Sequence, residues 1–138
     1  MKKLLVLVMV MVLLFGLSAC KKQQASAIDS AHNSQNSLNW DGVYTGVIPA
    51  ADGPGIDVKL TLGLDYKYTL TYKYLEKTGT FNHSGTFVWS SDGSNITLDT
   101  DQVPNHYKVG ENILWQLDLQ GNRITGSLAD KYTLQKVQ

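Results

Sequence analysis

A chain of 138 residues suits one domain and leaves little room for a second full core. Its 12 Lys plus Arg balance 12 Asp plus Glu, without the basic surplus that displaces counterions from nucleic-acid phosphates. A single cysteine excludes an intramolecular disulfide framework and any zinc cluster built on several thiolates.

Lys2 and Lys3 precede an unbroken apolar run from Leu4 to Phe15. A helix of that length spans about 18 Å, short of the roughly 30 Å hydrocarbon core of a bilayer. The reading is therefore a signal peptide over residues 1–19, not a spanning helix. Leu17-Ser18-Ala19-Cys20 closely resembles the bacterial lipobox, which implies cleavage before Cys20 and acylation of its thiol and new amine. One acyl chain gives marginal membrane residence, whereas two or three hold a protein firmly. Lys21, not an aspartate, follows the cysteine. By the enterobacterial sorting rule this implies the outer membrane, with the folded part in the periplasm. Residues 20–37 then read as the lipidated cysteine and a flexible tether. In Lys21–Ser37 only Ile28 is a large aliphatic residue, so the segment buries too little surface to offset its ordering entropy. His32 falls in this tether and is read as solvated.

From Leu38 to Gln138 the hydrophobic period is two. Val43–Ile48 opens the series. Ile56, Val58, Leu60 and Leu62 share one face, and Tyr66, Tyr68, Leu70, Tyr72 and Tyr74 share the next. Strict alternation with aromatic and β-branched residues marks strands with one buried face. Gly63-Leu64-Asp65 is short enough to join these two as a hairpin. Thr80–Ser90 places Phe81, His83, Gly85, Phe87 and Trp89 together, and Ser91–Ser94 turns the chain into Asn95–Leu98. A short strand is expected around His106–Val109. Ile113, Trp115, Leu117 and Leu119 are then expected on one face, followed by strands over Arg123–Leu128 and Tyr132–Val137.

Short strands punctuated by Gly, Asn, Asp and Ser predict an all-β antiparallel meander of about eight strands. An open meander leaves two exposed edges, which closure removes, so a small lipocalin-like barrel is favoured over a sandwich.

The sequence holds no Gly-X-Ser-X-Gly, His-Glu-X-X-His or phosphate-cradling glycine loop, and no enzyme is expected. Glu76 and Glu111 fall in turns, and the aspartates sit mostly beside turn residues. His83 shares its strand face with Phe81, Phe87 and Trp89, which makes these four the candidate lining of an interior ligand site. A core histidine is the simpler account of His83. His106, after Pro104-Asn105, is read as solvated. Two histidines without a third donor at recognisable spacing do not make a metal site, so neither a metal nor another cofactor is expected.

Three segments carry a family resemblance. They are Trp40–Ile56 (WDGVYTGVIPAADGPGI), Tyr68-Thr69-Leu70 with Gly85–Trp89 (GTFVW), and a third group. That group is Tyr107–Asn112 (YKVGEN), Gln116-Leu117-Asp118, Gly121–Ala129 (GNRITGSLA) and Tyr132-Thr133-Leu134. Together, over about Leu38 to Lys136, they resemble the NlpE N-terminal domain family of outer-membrane lipoproteins, linked to copper tolerance and the Cpx envelope-stress response. In better-known members the loop after the first strand reads Pro-Cys-Ala-Asp-Cys-Pro-Gly-Ile. Here it is Pro49-Ala50-Ala51-Asp52-Gly53-Pro54-Gly55-Ile56. Copper(I) prefers soft sulfur donors, and Ala50 and Gly53 offer none.

The resemblance implies a non-enzymatic lipoprotein, held at the membrane by lipid, whose barrel contacts an envelope-stress sensor protein. The alternative is a binding module that takes a small apolar or amphipathic ligand inside the barrel.

Overall fold

The structure, a computed structural model, describes residues 32–101 and 104–137. The signal peptide, Cys20 and most of the expected tether lie outside the described residues.

The described residues form eight strands: β1 (Gly42–Ile48), β2 (Ile56–Leu62), β3 (Lys67–Tyr74), β4 (Phe81–Trp89), β5 (Asn95–Leu98), β6 (His106–Gly110), β7 (Ile113–Gln116) and β8 (Thr133–Lys136). Each pairs antiparallel with the next, and β8 returns to β1, closing a barrel. The expected all-β barrel is thus the architecture found. Side-chain alternation sets its inner face: Tyr44 pairs across from Leu60, Leu60 from Leu70, and Val58 from Tyr72. Tyr44, Val58, Leu60, Leu70, Ile96, Tyr107 and Leu114 are fully buried there. Each such side chain contributes about 1.5–3 kcal/mol relative to exposure, so this packed layer dominates the stability of the fold.

The ring is uneven. Strands β1–β4 run 7, 7, 8 and 9 residues, whereas β5–β8 run only 4, 5, 4 and 4. Half of the wall is therefore tall and half is short. The seam that closes it is short: β1 pairs with β8 at Tyr44↔Lys136 and Thr45↔Gln135, and the Val137 amide adds a bond to the Val43 carbonyl at 2.7 Å. Gly46 permits this approach, because a Cβ there would stand 2.5 Å from the Thr133 carbonyl oxygen. Buried hydroxyls are satisfied near the chain that carries them. The Tyr44 hydroxyl donates to the Trp40 carbonyl at 2.7 Å, and burial pushes its pKa up to about 12.

Four expectations are corrected. Ile113, Trp115, Leu117 and Leu119 do not share one face of a strand, because β7 ends at Gln116 and, past its end, Leu117 is buried. Leu114, opposite both Val109 and Leu134, points into the core, and Leu119 is 67% exposed. Both faces of β7 are apolar, so alternation alone did not choose between them. The outward Trp115 ring lies over Gly110, where any Cβ would collide with it. Arg123–Leu128 is not a strand. Only an isolated bridge joins Arg123 to Leu117, and positive φ at Gly121 and Gly126 keeps the segment curled. The Asp118 carboxylate accepts from the Gln120 and Asn122 amides and locks the preceding turn. Tyr66 belongs to the β2–β3 turn at φ 59°, outside the strand. Finally, the last residues assigned to the tether are ordered: Ser34–Ser37 forms one helical turn, α1, capped by the Asn33 side chain on the Asn36 amide.

Replacing Gly46 with alanine is expected to force the β1–β8 seam apart and cost about 1–3 kcal/mol, read as a lowered urea midpoint.

Candidate functional site

The four candidate lining residues do share an inner face, but the structure sorts them to opposite ends of the barrel. Phe87 and Trp89 join Trp40 and Tyr66 at one pole. The Trp40 ring stacks on Tyr66 (6.1 Å between centroids, 13° between planes) and meets Phe87 and Trp89 edge-on at 5.8 and 5.3 Å. This pole is closed further by α1. The Ser34 hydroxyl donates to the Val109 carbonyl, the Gln35 amide to the Gly93 carbonyl, and the Trp40 indole N–H to the Gln35 carbonyl. No single letter announced Trp40 as a plug. Its parity did carry the signal, since residues 40, 44 and 48 fall on one face of the extended β1 line.

Phe81 and His83 lie at the other pole, on the part of the tall wall that rises past the short strands. The Tyr72 ring runs parallel to both, 5.1 Å from Phe81 and 5.8 Å from His83, with planes 15° and 7° apart. Tyr74 meets Phe81 edge-on at 6.3 Å. Phe81 nevertheless remains 48% exposed. A large apolar ring left half in water on a face directed inward is the unusual feature of this end, because most inner-face side chains are fully covered.

The loop of residues 49–55 borders the same pole. Gly55 is buried at φ 142°, and its carbonyl accepts from the Leu75 amide at 3.0 Å. The Lys77 ammonium sits 3.0 Å from an Asp52 carboxylate oxygen and 5.3 Å over the Tyr74 ring, tying the two loops together. Ala50, Gly53 and Pro54, with Val47, Leu128 and Lys131, line an open groove of mixed polarity and about 450 Å³.

Asp99 ends the ladder between β4 and β5. Its amide donates to the Thr86 carbonyl at 3.0 Å, but its carboxylate, in place of its own carbonyl, accepts the Thr86 amide. That amide, then the Thr86 hydroxyl, holds the Asp99 carboxyl below the usual carboxylate value. The missing side chain of Gly85 leaves the space this carboxylate fills. Asp92 is lowered by the Ser90 hydroxyl and the Ser94 amide, and Asp65 by the Lys67 amide. All three aspartates are turn and ladder terminators. His106, read as solvated, is half-buried at the start of β6 with its Nδ1 3.1 Å from the Thr97 hydroxyl. Among the described residues, no three His, Cys, Asp or Glu side chains gather as a metal would require.

Residues 44–127 match the family model of the NlpE N-terminal domain. The chain belongs to this family. The NlpE lipoprotein of Escherichia coli (strain K12) is 28% identical over 140 residues, which takes in 99% of this chain and 58% of that protein. The chain thus spans just over half the length of that NlpE. A crystal structure described as a lipoprotein of Shewanella oneidensis is 48% identical and superposes with a TM-score of 0.70, over 75% of this chain and 94% of that one. The crystal structure of the Cpx pathway activator NlpE from Escherichia coli is 25% identical with a TM-score of 0.53, over 63% of this chain and 46% of that one. The NlpE match includes both aromatic poles apart from Trp40, and the residue 49–55 loop.

Two predictions follow from the site's energetics. Phe81→Ala should lower stability by about 1 kcal/mol or less because the ring is half exposed, whereas Leu70→Ala should cost about 2–5 kcal/mol, both read by urea unfolding. The lowered Asp65, Asp92 and Asp99 bind fewer protons folded than unfolded. Their stabilisation is in force above about pH 4 and is lost as the pH falls through the lowered values. An Asp92→Asn, Asp99→Asn variant should therefore show a shallower fall of Tm between about pH 4 and pH 2 than the parent chain.

Proposed function

We propose that the protein is a lipid-anchored lipoprotein of the bacterial outer membrane whose periplasmic NlpE-like barrel takes part in envelope-stress signalling by contacting a sensor protein. It works without enzymatic chemistry and without thiol-based copper binding. The observation that carries this reading is family membership: one structural relative is named as the activator of the Cpx pathway. The Leu17–Cys20 lipobox pattern supports the anchor. A domain tethered to a membrane has a high effective concentration for partners within reach of its leash, which favours signalling by contact. Half-exposed Phe81 and the groove bordered by the 49–55 loop offer contact surface at the end away from α1.

The copper part of the reading rests on donor chemistry. Ala50 and Gly53 present no ligand atoms, Asp52 is engaged by Lys77, and His83 is stacked on Tyr72. Soft thiolate pairs are what select Cu(I), and the loop has none.

A second reading, a small apolar or amphipathic ligand seated against Phe81, Tyr72 and His83, is favoured by the half-covered Phe81 ring. Following the Tyr72 and His83 ring resonances while adding lysolipid tests it, since Trp40 and Trp89 sit at the far pole and would not respond. Saturable shifts at the Tyr72 and His83 resonances would favour it.

Overproduction of the chain is expected to raise an envelope-stress reporter and deletion to blunt it. Cys20→Ala should abolish incorporation of labelled palmitate and shift the protein out of the outer-membrane fraction. A reporter unmoved by either change in dose would sink the signalling reading. Calorimetry showing tight copper binding by the Cys20→Ala chain would overturn the donor argument.

A further inference from the structure

The sequence holds three Asp-Gly pairs, Asp41-Gly42, Asp52-Gly53 and Asp92-Gly93. Glycine has no Cβ, so its amide nitrogen can swing close to the preceding side-chain carboxyl and close a five-membered ring with it. The fold holds two of the three against this. Asp92 accepts from the Ser90 hydroxyl and from the Ser94 amide, and the Gly93 amide donates to the Ser90 carbonyl at 2.8 Å. Both reacting groups are fixed there. Gly42 opens β1 opposite Leu62, and a Cβ on it would stand 2.7 Å from the Lys136 side chain. Rotation of that peptide must undo the start of the β1–β2 ladder.

Asp52-Gly53 sits differently. It lies in the loop between β1 and β2, where residues 51–54 are all exposed. The Asp52 side chain is 77% exposed, and its 3.0 Å pair with Lys77 stands at the surface. Surface pairs contribute too little to immobilise a carboxyl. Gly53, at φ 91°, also has room: a Cβ there would meet the Leu75 carbonyl oxygen only at 4.0 Å, an ordinary contact distance.

We propose that Asp52 is a site of spontaneous backbone isomerisation, the position at which this chain ages. The Gly53 amide nitrogen attacks the Asp52 Cγ and a new N–Cγ bond forms. The carboxyl C–O bond breaks, and its hydroxyl leaves with the amide proton as water, giving a cyclic imide. Water then opens the ring. Attack at Cγ restores aspartate, whereas attack at the main-chain carbonyl leaves isoaspartate, with the chain running through Cγ and a free α-carboxylate. The net change is an isomerisation without change of mass, and it needs no oxidant, reductant or further reactant.

The product adds one methylene to the backbone of the 49–55 loop and moves the negative charge away from Lys77. The tie between the two loops is lost, and the groove at Ala50, Gly53 and Pro54 changes shape. A partner that contacts this end therefore meets two chemical forms of one surface. The inference rests on exposure and bond chemistry, so it holds whether the signalling reading stands or falls.

The test keeps the unmodified full chain in detergent micelles at neutral pH and growth temperature for several weeks. An isoaspartyl methyltransferase then labels the α-carboxylates formed, electron-transfer fragmentation places them, and hydroxylamine traps the ring as a hydroxamate. The bonds around Asp92 and Gly93 must break before a ring closes there. Isoaspartate is therefore expected at residue 52 about tenfold or more faster than at residue 92, with residue 41 also behind. In guanidinium, which removes ladder and turn alike, the three sites should react at similar rates. Asp52→Glu keeps the charge but can close only a six-membered ring, which forms far more slowly, so the label at that position should vanish.

Comparable isoaspartate at all three positions of the folded chain overturns the proposal, as does none at residue 52 with no hydroxamate. A preference for residue 52 that persists unchanged in guanidinium also overturns it, because the fold is then not its cause.

Discussion

Four long strands and four short ones closed into a single ring cannot present two equivalent ends. That mismatch governs the molecule. The long strands must overrun the short ones somewhere, and the β2–β3 and β4–β5 turns sit together at the Trp40 pole, so the overrun goes to the other. The half-exposed Phe81 and the stacked Tyr72 and His83 all lie on the surplus length. Closure at so narrow a seam demands close backbone contact between β1 and β8, and Gly46 supplies it.

Polar groups in this fold serve mainly as terminators. Asp99 replaces a strand carbonyl with a carboxylate, Asp118 gathers two turn amides, and Asp92 ties the β4–β5 turn through Ser90 and Ser94. Short charge-assisted bonds of this kind fix where ladders stop. These three carboxylates are thus spent on geometry. An interior made of Leu, Val, Ile and hydrogen-bonded Tyr needs no further charge.

Much of this was legible in the letters, for a physical reason. Alternation is read from residues facing one side of one strand, so Ile56–Leu62 and Asn95–Leu98 come out with the bounds observed, and the barrel follows from their number and spacing. Alternation fails where both faces are apolar, as in β7, or where positive φ at Gly121 and Gly126 curls a segment that alternates on paper. It is also silent about strand overhang, which depends on where a partner strand ends. Phe81, His83, Phe87 and Trp89 were rightly placed on one face, yet whether they form one site depends on Asp99 and on the shortness of β5. The joining of Trp40 to Tyr66 likewise rests on a contact between residues outside the regular strands.

The clasp formed by α1 gives the molecule a direction. Chain arriving from the N-terminus meets Ser34 on Val109, Gln35 on Gly93 and the Trp40 indole on Gln35 before it reaches any strand. A tug along the chain loads these few bonds first, and the ring bears tension only after they yield. The clasp thus lies in series between the incoming chain and the ladder, so tension along the chain reaches the plug at Trp40 before it reaches any strand.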